Sequence, residues 1–100
     1  MAKLDDRVRM MLEKNIDTVI DNPEGTELSY RSMLTFQGIE PNLETVLSYL
    51  VGMLIGAADG SYVAYHQRLM SSDERMKVLE LLKRRAFELR QAFLRTRIEE

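Results

Sequence analysis

The chain holds 100 residues, 45% of them hydrophobic and 30% charged, with a formal net charge of −2. The absence of cysteine excludes a disulfide framework, a thiolate metal centre and a cysteine nucleophile; a single histidine excludes most histidine-based metal sites unless chains share ligands. The near-neutral balance lacks the broad positive field of a dedicated nucleic-acid binder, and the length suits a single helical domain over 1–100.

The opening Met1-Ala-Lys-Leu-Asp-Asp turns acidic at once and does not read as a secretory signal. Leu4, Val8, Met11, Leu12, Ile16 and Val19 then recur at steps of three and four, which predicts a helix from Leu4 to Asp21. Asn22-Pro23-Glu24-Gly25 is expected to stop it, since proline disfavours helix at the residue before it.

From Thr26 to Gln37 two readings compete. Leu28, Tyr30, Ser32, Leu34 and Phe36 alternate as a strand would. Thr26, however, can cap a helix beginning at Glu27, Gly38 sits where a helix C-cap belongs, and no second strand is in view. A short helix is the expectation.

Asn42 is placed to cap a third helix, with Glu44 in its first turn, running to about Met70 and able to break at Asp59-Gly60. Its most apolar run, Val46 to Ala58, falls short of the roughly 18–20 residues that span a bilayer. A core helix in a cytoplasmic chain, with no membrane partner, is expected. Ser71 and Glu74 have capping-box spacing, and from there to Ile98 neither glycine nor proline intervenes. This predicts one long fourth helix. The whole is expected to be all-α, a small helical bundle of three long helices plus one short helix, in a dimer.

Five constellations bear on function. Ser48, Gly52, Gly56, Gly60 and Ala64 form a ridge of small residues four apart, where a second backbone could approach closely. Glycine inside a helix costs about 0.8–1.0 kcal/mol against alanine, so tight packing within or between chains should offset it. Asp59 and His66 share a face but lie seven residues apart, about 10.5 Å along the axis, too far for one hydrogen bond or one metal ion. Tyr49, Tyr62 and Tyr65 read as amphipathic packing with hydroxyls reaching water. A helix-turn-helix over Leu28 onward would lead with Glu44, the wrong charge for DNA. No phosphate loop, zincin or nucleophile-elbow motif is present, so neither an enzyme nor a cofactor is expected.

The fifth lies on the fourth helix, which carries two apolar stripes: Leu79, Leu82, Ala86, Leu89 and Phe93, then Met76, Phe87, Leu94 and Ile98. A small bundle covers one broad stripe per helix, so the second should pair with a partner. Between the stripes run Lys83, Arg90 and Arg97. Residues 1–45 hold nine acids and five bases, and residues 71–100 eight bases and six acids. Asp6, Glu13 and Asp17 on the first helix are therefore expected to face Lys83, Arg90 and Arg97, in the same chain or its mate. The functional expectation is a non-enzymatic interaction or structural/regulatory module acting through homodimerisation, with another protein as a further partner. The alternative is a nucleic-acid binder using the basic fourth helix of a dimer.

Overall fold

The computed structural model describes residues 3–98, the side chains of 97 and 98 excepted. Four helices follow one another: α1 (Asp6–Asp21), α2 (Pro23–Phe36), α3 (Leu43–His66) and α4 (Ser72–Ile98). Among the described residues there is no strand, so the all-α expectation holds.

Three of the four helices, α1, α3 and α4, begin where a side chain answers an orphaned backbone N–H. Asp5 caps α1, accepting from the Arg7 N–H at 2.8 Å. On α3, Asn42 Oδ1 accepts from Thr45 N–H at 3.0 Å while Thr45 Oγ1 accepts from Asn42 N–H at 2.9 Å. On α4, Ser71 Oγ accepts from Glu74 N–H at 3.2 Å and Glu74 returns the bond to Ser71 N–H at 2.8 Å. That is the capping box read from the sequence.

The Asn22–Gly25 stretch behaves differently from expectation. It ends α1, yet Pro23 is itself the first residue of α2, four positions ahead of the predicted start at Glu27. Proline has no N–H to orphan and its φ is already helical, so a helix's first position suits it. At the far end, Gly38 takes φ 78°, which lets Ile39 N–H reach Leu34 O at 2.9 Å and Gly38 N–H reach Thr35 O at 3.0 Å. This closes α2 as a Schellman turn. The strand reading is overturned.

α3 does not break at Gly60 and does not reach Met70. It runs unbroken to His66, where Gln67 turns left-handed at φ 57° and ends it. At 24 residues α3 is long and apolar enough to cross a bilayer on length and composition alone, unlike the shorter run weighed above. Here it packs one face against all three other helices, as α4 also does.

Val46, Leu50, Leu54, Ala58 and Tyr62 form its buried line. Against that line stand Val8, Leu12 and Ile16 of α1, Leu34 of α2, and Val78, Leu81, Leu89 and Phe93 of α4. Asp59 pairs with Arg75 near one end, and Glu44 with Arg90 near the other, so α3 and α4 run antiparallel. The bundle measures 45 × 26 × 17 Å.

Glu74 does more than cap. It receives both guanidinium nitrogens of Arg68 at 2.7 and 2.9 Å, and it is buried. Arg68 holds its carboxyl down at about 2, with the Ser71 bonds adding to the effect. A depressed acid stabilises the fold above its ordinary value and loses that contribution as pH falls through the folded one. Chemical denaturation should therefore show stability falling between about pH 4.5 and 2, and Glu74→Gln should flatten that fall. Ser71→Ala should cost about 1 kcal/mol at neutral pH while leaving helical content unchanged.

Candidate interaction surfaces

The ion pairs were expected to join Asp6, Glu13 and Asp17 to Lys83, Arg90 and Arg97. Within the chain, a different cation takes the role. Arg85 donates to Glu13 at 3.1 Å and to Asp17 at 2.7 Å, and also holds Glu88 at 2.9 Å. These carboxylates, Asp17 first, push the Arg85 guanidinium further up. Arg90 instead takes Glu44 of α3 at 2.7 and 3.2 Å, and Asp6 lies 3.8 Å from Arg9 on its own helix. Lys83 is exposed, and the Arg97 side chain lies outside the described residues. The cause is rotational. Arg85 sits on the α1 side of α4, whereas Arg90 lies on its α3 side and Lys83 turns to solvent.

A second cluster joins the start of α1 to the end of α3. His66 Nε2 lies 2.8 Å from Asp5 Oδ2, and Tyr62 Oη accepts from the Asp5 N–H at 2.8 Å. Arg7 binds Asp5 and stacks 3.9 Å over the Tyr65 ring. Arg7 first and His66 second hold the Asp5 carboxyl well below its usual range. Tyr62 is buried, with its hydroxyl inside rather than in water as expected, and desolvation raises its pKa. His66 meets Asp5 and not Asp59, which Arg75 holds at 2.9 Å. Both acids act as fasteners. Among the described residues no three metal-ligating side chains gather into a site.

The grooves are small. A crease between α3 and α4, lined by Leu47, Val51, Ala86 and Leu89, holds about 150 Å³. A more polar furrow between α1 and α4, lined by Arg9, Lys77, Glu80 and Arg84, holds about 270 Å³. Small-molecule sites start near 300 Å³ and are mostly apolar. The crease is apolar but too small, while the furrow and two further grooves, about 330 Å³ around Asp5 and Arg7 and about 300 Å³ around Arg9, Glu13 and Arg85, are lined mostly by charged side chains.

The outer faces are more informative. Gly52, Gly56 and Gly60 face away from the core, and a Cβ placed on any of them meets nothing within 4 Å. No close approach inside the chain offsets them. On α4, Met76 is 55% and Phe87 71% exposed, as the second stripe predicted; Leu94 is half-buried, and the Ile98 side chain lies outside the described residues. Of the basic run, Lys83 and Arg84 point to solvent while Arg85 turns inward, so the nucleic-acid alternative gains no continuous patch.

The residues that sequence reading missed are on α2. Leu28 is 71% and Phe36 87% exposed, with Ser29, Ser32 and Met33 beside them, while Glu27 is buried. Glu27 accepts from Thr96 and pairs with Arg31 at 4.0 Å. Leu28 and Phe36 are eight residues apart, two steps of a helical ridge, which is the signal that an alternating pattern concealed.

No protein-family model, curated protein or solved structure matches this chain. Since Gly60 sits in open space within a helix, Gly60→Ala should raise stability by about 0.5–1 kcal/mol in urea titration.

Proposed function

We propose that the chain is a non-enzymatic, cytoplasmic interaction module that works by pairing with a second copy of itself. The observation that carries this reading is the placement of large apolar side chains on the outside of the bundle. Phe36, Leu28 and Phe87 each keep more than two thirds of their surface in water.

The chemistry of the polar groups supports the same reading. The only histidine is paired with Asp5, and its neighbours Arg7 and Tyr65 are engaged with that acid or with each other. Among the described residues, no nucleophile with an adjacent base stands in a cavity, which is the arrangement that acyl or phosphoryl transfer would need. A symmetric pair is the commonest way for an isolated apolar face to be covered, because one patch serves both partners.

Light scattering coupled to size exclusion at micromolar concentration checks the reading. The expected mass is twice 11.6 kDa, and a clean monomer would overturn the proposal.

A further inference from the structure

The cations of the bundle differ in how tightly they are held. Arg7, Arg68, Arg75, Arg85 and Arg90 each bind a carboxylate at 3.1 Å or closer. Lys3, Arg9, Lys77 and Arg84 do not, and they share one place, the furrow of about 270 Å³ between α1 and α4. Arg9 approaches Asp6 to 3.8 Å and Lys77 approaches Glu80 to 3.6 Å, both longer than the roughly 2.7–2.9 Å of a charge-assisted bond. Among the described residues, Lys3 and Arg84 pair with no carboxylate. Arg9 and Arg84 also line the adjoining groove, so one arginine from each helix converges over the buried Leu81 where the two recesses meet. The acids of the furrow are Asp6 and Glu80, so its four bases leave two positive charges in surplus, in a chain whose net charge is −2.

We infer that this furrow binds a phosphomonoester dianion, with Arg9 and Arg84 gripping its phosphoryl oxygens from opposite walls. The inference goes beyond self-pairing and does not depend on it. A phosphomonoester carries about −1.5 to −2 at pH 7 and offers three acceptor oxygens, which matches the surplus charge and the planar forks of two guanidinium groups. Such an ion calls for donors, not for the apolar lining that suits drug-sized ligands. Lys77, two turns before Arg84, and Lys3, six residues before Arg9, lie outside the adjoining groove and add charge at the same end of the furrow. Asp6 and Glu80 interrupt both walls and repel a polyanion laid along them, so the furrow fits one phosphoryl group better than a nucleic-acid backbone. As acceptors they also suit the hydroxyl groups that a phosphorylated sugar carries.

The experiment is a proton–nitrogen NMR titration of the full chain at pH 7 and constant low ionic strength. The probes are inorganic phosphate, glucose 6-phosphate, a glycine peptide bearing one phosphoserine, and acetate. Saturable shifts of the Arg9, Leu81 and Arg84 amides are expected with the three phosphates, and binding at least about tenfold weaker with acetate, which carries a single charge. Arg9→Ala and Arg84→Ala should each weaken phosphate binding about tenfold or more, the scale of a lost charge-assisted bond. Lys83→Ala, exposed and outside the furrow, should leave it unchanged. Glu80→Gln should tighten it, a gain that loss of a structural contact would not produce. All four positions are exposed, and circular dichroism verifies helix content in each variant. The sugar phosphate and the phosphopeptide separate a free ligand from a phosphorylated partner; the tighter of the two names the source, and either supports the inference. No shift at millimolar phosphate, equal binding of acetate and phosphate, or indifference to both arginine variants overturns it. A short DNA duplex bound more tightly than any phosphomonoester assigns the furrow to nucleic acid and overturns it equally.

Discussion

The whole bundle hangs on one line of side chains on α3, with Val46, Leu50, Leu54, Ala58 and Tyr62 each four residues from the next. Four residues turn a helix by 40° more than a full circle, so the line winds around α3 instead of running straight. Its first half faces α2 and the end of α4; its last member, Tyr62, meets the start of α1. One helix can therefore organise three neighbours. Fully burying such a leucine or valine contributes about 1.5–3 kcal/mol, so a handful of these positions outweighs every ion pair on the surface.

The charged residues act on geometry more than on total stability. Exposed pairs such as Arg90–Glu44 contribute about 0–1 kcal/mol, yet their placement at the two ends of α3 and α4 admits one register and one direction. Arg85 is the exception in kind. Partly covered and shared among three carboxylates, it locks the rotation of α4 against α1. Removing its acids would leave a cation half out of water with no counter-charge, a larger cost than forming the pairs gains.

Local features were legible wherever a residue acts on its own backbone. Ser71 with Glu74, Asn42 at the start of α3 and Gly38 after α2 could each be read from side-chain chemistry a few positions away. Pro23 carries two signals, because one residue both ends the helix before it and suits the start of the next. Gly60 did not break α3, since a penalty of about 1 kcal/mol is small beside the packing of Ala58 and Tyr62 on either side. What stayed hidden were the choices between helices. Arg85 over Lys83, and Asp5 as the partner of His66, depend on rotations and on contacts 61 or more residues apart. The exposed face of α2 was hidden for a related reason: alternation groups Leu34 with Leu28 and Phe36, whereas in the helix Leu34 turns inward and the other two turn to solvent.

The weak anchoring of α2 has a thermodynamic corollary. With Leu34 as its one fully buried apolar side chain, releasing α2 uncovers far less surface than unfolding the bundle, so it forms a local opening unit of its own. A partner that covered the outer face of α2 would bind the closed form and not the open one, and would add to the closing free energy by mass action, in proportion to the logarithm of its concentration. The order of that one helix would then read out how much partner surrounds the molecule.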